Sequence, residues 1–143
     1  MLIAHILKEK GGDVHSVGEH ATLCEAAREL TARRVGAMVV LSDDGKIVGV
    51  LSERDIVREL ARRGPGVLNE PVSGCMSRGV ITAHPLETLD EALGRMSDRR
   101  IRHLPVVERD RLLGIVSIGD LVARKIAEAE QEAAAMRAYI AAG

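Results

Sequence analysis

An α+β fold (α/β in the broad sense), built from two copies of one strand–helix–strand–strand–helix unit with a helical extension at the C-terminus, is predicted by three observations. The first is a repeat. Thr22-Leu23-Cys24-Glu25-Ala26 through Arg33-Arg34-Val35 aligns without a gap, about 66 residues on, with Thr88-Leu89-Asp90-Glu91-Ala92 through Arg99-Arg100-Ile101. The second is that each copy passes from helical apolar spacing to short β-branched runs. The third is a shared polar spacing, Gly49-x-x-Ser52-x-x-Asp55 in one copy and Gly114-x-x-Ser117-x-x-Asp120 in the other. At 143 residues the chain holds one ordinary core, whereas a copy of about 60 residues is marginal alone, so the copies are expected to share a core.

The elements follow in order. Ala4 to Lys10 reads as a short helix with Ile3, Ile6 and Leu7 on one face, ended by Gly11-Gly12, and a brief strand, Asp13 to Val17, comes next. Thr22 has Glu25 three residues on, the spacing of a capping box, and Leu23, Ala26, Ala27 and Leu30 supply the apolar face of the helix it opens; Thr88 and Glu91 repeat the pattern. Ala37 to Leu41, the turn residues Ser42-Asp43-Asp44-Gly45, and Ile47 to Leu51 read as an antiparallel hairpin. Val106-Val107, the turn Glu108 to Arg111, and Leu112 to Val116 form its counterpart. Each hairpin leads into a helix, Glu53 to Arg63 and Ile118 to Lys125 onward. Gly64-Pro65-Gly66 breaks the first of these, and Val67 to Arg78 carries the chain to a strand at Val80 to Ala83. The organisation expected is a first repeat over 1–66, a connector over 67–78, a second repeat over 79–126 and a helical extension over 127–143. Ile126, Ala129, Ala133, Met136 and Ile140 keep a three- or four-residue spacing in that extension, an apolar stripe that calls for a partner surface, and a homodimer is expected.

Composition narrows the function. Apolar residues make up 46% of the chain and aromatics 1%, with Tyr139 the one aromatic residue, so a stacking platform for single-stranded nucleic acid is not expected. A net charge of −1 from 20 basic and 21 acidic residues argues against a chain-wide basic field. Cys24 and Cys75 form neither a metal motif nor a disulfide framework, the start resembles no export signal, and no apolar run approaches the ~18 residues of a membrane span. A soluble cytoplasmic protein is expected. The five histidines show no ligating spacing, and no nucleophile and base stand in a catalytic pattern, so neither a metal nor an enzymatic activity is expected.

The duplicated Gly-x-x-Ser-x-x-Asp spans the end of a strand and the first turn of a helix. A serine there can cap the helix and offer its hydroxyl to a phosphate beside exposed backbone N–H groups, and a solvent-facing carboxylate one turn on can accept hydrogen bonds from the paired hydroxyls of a ribose. The same residues are also explained as helix caps favoured by the helix dipole, and duplication of the whole spacing favours the ligand reading. Arg99, Arg100, Arg102 and His103 crowd a strand entry, as Arg33 and Arg34 do in the first copy. Solvated charge at a helix end accounts for Arg33, Arg34 and Arg99, while Arg100, Arg102 and His103 are better placed for a ligand; alternation sets Arg102 and His103 on opposite faces, and a guanidinium there could grip a phosphate.

Four segments together, Gly49 to Arg58, Arg100 to Val107, Gly114 to Val122 and the connector Val72-Ser73-Gly74-Cys75-Met76-Ser77, resemble a tandem cystathionine-β-synthase (CBS) domain pair, from about Gly12 to Lys125. Small stand-alone bacterial two-CBS proteins are the nearest in kind. The resemblance implies two βαββα units packed about a pseudo-twofold axis, with two clefts between the copies that hold adenosyl ligands in many relatives, and modules that commonly assemble in pairs. It assigns Ser52 with Asp55, and Ser117 with Asp120, to phosphate and ribose. It sets Asp13, Val14 and His15 in one cleft, and Val80, Ile81 and Thr82 in the other, beside adenine. Ala37, Met38 and Val39, with His103, Leu104 and Pro105, would form further walls. Arg54 of the first copy becomes Gly119 in the second, and Gly36-Ala37 becomes Arg102-His103, so the two clefts are expected to differ. The function implied is a non-catalytic sensor for AMP, ADP, ATP or an NAD-type dinucleotide, needing no resident cofactor and passing its signal to an unidentified protein partner. The alternative is an interaction module acting through its last helix.

Overall fold

In the computed structural model, which describes residues 1–11 and 14–143, the chain divides into two units, Asp13–Thr82 and Met1–Gly12 with Ala83–Gly143. The opening helix therefore lies with the second repeat, not with the first, to which its position in the sequence assigned it.

In the unit Asp13–Thr82, β1 (Ser16–Gly18) pairs in parallel with β2 (Ala37–Leu41), and β2 pairs antiparallel with β3 (Ile47–Ser52), giving the order β1-β2-β3. Between β1 and β2 runs α2 (Leu23–Arg33). Thr22 Oγ1 accepts the Glu25 N–H at 3.1 Å and the Glu25 carboxylate accepts the Thr22 N–H at 3.3 Å, the reciprocal cap its spacing predicts. α3 (Glu53–Arg63) follows β3 without an intervening loop and stops at Gly64, whose φ of 80° suits a residue without Cβ. Val17, Leu23, Ala26, Leu30, Met38, Val40, Leu51 and Ile56 form the core of this unit, joined by Val67, Val72, Cys75 and Met76 from the connector.

The second unit repeats the plan with α4 (Leu89–Arg99), β4 (His103–Glu108), β5 (Arg111–Ser117) and α5 (Ile118–Ala142). Its buried residues Ala83, Leu89, Ala92, Met96, Leu104, Val106, Val116 and Leu121 stand at the positions of the first core, in the same order. Two features differ from the sequence reading. The strand expected over Val80 to Ala83 contracts to a single parallel bridge, Ala83 to Val106, held by Ala83 N–H to Pro105 O at 2.8 Å and Val107 N–H to Ala83 O at 2.9 Å. The hairpin is longer than expected, because Arg109 and Asp110 alone form its loop, at φ 51° and 60°. Positive φ at both loop residues is the twist that a two-residue hairpin loop needs, though neither residue is the glycine or asparagine that adopts it cheaply.

A third repeated element carries no sequence signal. Pro71 bridges Thr22, the Val72 N–H bonds Ala21 O at 2.8 Å, the Ser73 N–H bonds Glu19 O at 3.1 Å, and Glu70 O accepts the Leu23 N–H at 3.0 Å. In the other unit Leu2 bridges Thr88, the Ile3 N–H bonds Glu87 O at 2.9 Å, the Ala4 N–H bonds Pro85 O at 2.9 Å, and Met1 O accepts the Leu89 N–H at 2.9 Å. The connector thus straps the first copy as residues 1 to 4, entering α1 (Ile3–Lys10), strap the second. Val72 and Ile3 are the equivalent plugs, both fully buried.

This pairing explains the repeated glycine. A Cβ on Gly49 would meet Met76 Sδ at 2.5 Å and the Ser77 carbonyl at 2.9 Å, and one on Gly114 would meet Leu7 Cδ2 at 2.9 Å. In both copies the strap crosses the strand at its glycine, so the residue answers to close packing there.

Candidate functional site

Each repeated serine closes a strand and opens a helix. Ser52 ends β3 opposite Ala37, and the Glu53 N–H bonds Gly36 O at 2.9 Å; Ser117 ends β5 opposite His103, and the Ile118 N–H bonds Arg102 O at 2.8 Å. The residue before the hairpin therefore clamps the first turn of the following helix. Arg102 holds that position in the second copy, and Gly36 in the first.

The serine and the aspartate three residues on form a reciprocal cap in both copies. Ser52 Oγ accepts the Asp55 N–H at 3.2 Å while Asp55 Oδ2 accepts the Ser52 N–H at 2.9 Å; the distances at Ser117 and Asp120 are 3.1 Å and 2.8 Å. Both serines use their oxygen as acceptor, which leaves each hydroxyl proton able to reach an anionic oxygen. Of the first-turn N–H groups, those of Arg54 and Gly119 have no hydrogen-bond partner among the described residues.

The carboxylates are not solvent-facing, as the sequence reading had them. Asp55 is 5% exposed, and its Oδ1 accepts from Arg58 Nη2 at 2.7 Å. Asp120 is half-buried, and its Oδ2 accepts from Lys10 Nζ at 2.7 Å, the same ammonium reaching Ile115 O at 2.9 Å. Burial pulls the Asp120 carboxyl upward, but the Lys10 hydrogen bond and the Ser117 N–H together hold it below the usual carboxylate range. Asp55 keeps one lone pair on each oxygen, whereas Asp120, whose Oδ2 already accepts from both Lys10 and the Ser117 N–H, keeps only Oδ1 for a ribose hydroxyl. Asp55 and Asp120 are thus cap and ion-pair residues first.

The remaining expected residues divide. Met38 belongs to the core of its unit, and Leu104, fully buried, is its counterpart, so neither side chain lines a wall; Ala37 and Val39, like His103 and Pro105, lie on the other face of their strands. Val14 is exposed and His15 half-buried just before β1; Asp13 lies outside the described residues. Val80, Ile81 and Thr82 are half-buried and precede the Ala83 bridge. Arg54, Arg100 and Arg102 are exposed and have no ion-pair partner among the described residues. Arg100 caps α4 in the left-handed conformation, its N–H bonding the last turn, as Arg34 does for α2. Sequence reasoning missed Arg58 and Lys10. The three-residue spacing of Arg58 from Asp55 was a usable signal; nothing in the sequence links Lys10 to Asp120.

Charge separates the two junctions. The first turn of α3 carries two acids, Glu53 and Asp55, the latter paired with Arg58, whereas the first turn of α5 carries only Asp120, paired with Lys10, beside the Arg102 backbone that clamps the Ile118 N–H. Among the described residues no group of three His, Cys, Asp or Glu is arranged to hold a metal ion, and no helix is long and apolar enough to cross a membrane.

The chain belongs to the CBS domain family, whose model matches residues 6–62 and 72–126. The CBS-domain containing protein ATU1752 from Agrobacterium tumefaciens superposes with a TM-score of 0.83 at 39% identity, over 87% of this chain and 92% of that one. The CBS domain protein PAE2072 from Pyrobaculum aerophilum, solved complexed with AMP, gives 0.74 at 34% identity, over 84% and 89%. The CBS domain pair of protein MJ0100, solved with 5′-methylthioadenosine and S-adenosyl-L-methionine, gives 0.78 at 28%, over 90% and 97%. A mitochondrial CBS domain-containing protein of Arabidopsis thaliana, CBSX3, is 32% identical over 85% of this chain, which spans 61% of that protein's length.

Proposed function

We propose that this chain is a non-catalytic regulatory module that binds an adenosyl nucleotide at its strand–helix junctions and couples occupancy to its conformation or assembly. The observation that carries this reading is the duplicated serine–aspartate cap, which in each copy presents a spare hydroxyl proton, a carboxylate with free lone pairs and, at Arg54 or Gly119, an N–H without a partner among the described residues. Likeness to proteins solved with AMP and with S-adenosyl-L-methionine supports the adenosyl part. The single acid in the first turn of α5 favours that junction for the phosphate end, since phosphate near α3 meets Glu53 as well as Arg54. AMP, ADP, ATP and NAD all fit this chemistry.

The protein acts in the cytoplasm as a homodimer, and its signal passes to another protein in trans. Coupling requires that the ligand bind two arrangements with different affinity. A second reading, an interaction module without ligand, is favoured by the exposed apolar residues of α5. Thermal unfolding with a panel of adenosyl ligands separates the two, because a ligand at about 100 times its Kd adds about 2.7 kcal/mol. Stabilisation by at least one member is expected; a panel without effect leaves the interaction reading.

A further inference from the structure

From residue 129 onward α5 is exposed along its whole length, a segment too short to be a stable helix alone in water. Its apolar residues nevertheless keep one line. Val122, Ile126, Ala129, Ala133, Met136 and Ile140 alternate spacings of four and three, a strict seven-residue repeat that places Ile126, Ala133 and Ile140 at a and Val122, Ala129 and Met136 at d. Val122 is 43%, Ile126 55%, Met136 61% and Ile140 69% exposed. A seven-residue period is narrower than the face a helix lays on a globular core, and suits the seam between two helices.

The residues beside the seam specify the partner and its direction. With that register Lys125 and Glu132 fall at g, and Glu130 and Arg137 at e. In a parallel, in-register pair each g residue meets the e residue five positions on in the other helix, so Glu132 would face Arg137, two attractive pairs in a symmetric dimer, while Lys125, which reaches Asp90 of its own chain at 2.7 Å, would stand opposite Glu130. An antiparallel pair that keeps Ile126 beside Met136 and Ala129 beside Ala133 sets Glu130 against Glu130 and Glu132 against Glu132. β-Branched Ile126 and Ile140 at a also favour two parallel strands.

We infer that the occupant of this face is a second copy of the same helix, and that α5 pairs with it as a parallel, in-register coiled coil over residues 122–140. This deepens the homodimer named above and stands independently of the nucleotide reading. Every residue involved beyond 128 is exposed, so substitutions there leave the folded body alone.

Sedimentation of the full chain is expected to show a monomer–dimer equilibrium. Glu132→Arg puts a second guanidinium opposite Arg137 at both symmetry-related contacts of the parallel pair and is expected to raise the dimer Kd about tenfold, whereas the double variant Glu132→Arg/Arg137→Glu restores it. In the antiparallel pair the single variant replaces one like-charge contact with another and changes little. Met136→Cys in a buffer containing oxidised glutathione is expected to cross-link into a covalent dimer that wild type, with Cys24 and Cys75, does not form; antiparallel helices hold the two thiols about 15 Å apart along the axis. A monomer at micromolar concentration, a dimer indifferent to Glu132→Arg, or a dimer of Met136→Cys that fails to cross-link overturns the proposal. None of these outcomes alters nucleotide binding, which is scored separately by titration of the same variants with AMP.

Discussion

Lys10 Nζ lies 2.7 Å from Asp120 Oδ2, while the equivalent carboxylate in the other unit, Asp55, is neutralised from its own helix by Arg58 at 2.7 Å. In the alignment Arg58 falls on Ala123, so the second copy lacks the local cation and takes one from the turn by which α1 outlasts the connector strap. The ion pair is about one-third exposed on both sides, which limits its worth to about 0.5–1 kcal/mol. Lys10→Met is expected to lower Tm by about 2–4 °C at neutral pH. Because the folded Asp120 carboxyl titrates below its unfolded value, the contribution is fully present above about pH 4 and is lost as pH falls through the folded value. The gap between wild type and variant should therefore narrow in acid; a gap that is constant from neutral pH into acid contradicts the assignment.

The two repeated glycines should not be equally intolerant. Alanine at Gly49 meets the Ser77 carbonyl, part of a backbone already fixed by the Val50–Ser77 bridge, whereas alanine at Gly114 meets the end of the Leu7 side chain, which can rotate. Urea unfolding is expected to show Gly49→Ala less stable than wild type by about 2–3 kcal/mol and Gly114→Ala by under about 1 kcal/mol. The reverse order would contradict the strap assignment.

The loop at Arg109 and Asp110 offers a gain. Arg109→Asn with Asp110→Gly places residues that accept positive φ where arginine and aspartate now bear it, and is expected to stabilise the chain by about 1 kcal/mol. A rise in Tm of about 3 °C is the readout; a fall would mean the original side chains make contacts that matter more than the turn.

Phosphate selectivity tests the junction at α5. AMP is expected to bind about tenfold tighter than adenosine at low salt, with the preference shrinking as salt rises. Arg100→Ala with Arg102→Ala should reduce AMP affinity and leave adenosine unchanged. Equal affinity for AMP and adenosine in wild type would return these arginines to ordinary solvated charge.

The repeat, the helix starts, both hairpins and the family resemblance were legible because they rest on local chemistry: Thr22 and Thr88 before their acids, Ser42 to Gly45 between apolar runs, and Gly64 at a helix end. What was not legible depends on contacts distant in sequence. Met1 to Ala4 and Glu70 to Ser73 share no residue, so their equivalence exists only in backbone hydrogen bonds to Pro85, Glu87, Leu89 and to Glu19, Ala21, Leu23. The same holds for Lys10, whose partner is far along the chain. Burial of Asp55 was also missed, since the first turn of an amphipathic helix reads as exposed until the neighbouring strand and Arg58 are placed. For that reason Asp55→Ala, which strips the Ser52 N–H and Arg58 of a partner, is expected to cost about 1–2 kcal/mol of stability, and binding is better probed with asparagine.

Isothermal titration of AMP into the full chain, compared with the Asp55→Asn/Asp120→Asn double variant, decides whether the serine–aspartate junctions hold a nucleotide. Asparagine keeps one acceptor oxygen for the cap but removes the charge and the second acceptor that paired ribose hydroxyls need. Saturable binding to wild type is expected, weakened about tenfold or more in the double variant at similar folded content. Undiminished binding in the double variant, or no binding of AMP, ADP, ATP or NAD to wild type, would contradict the nucleotide reading.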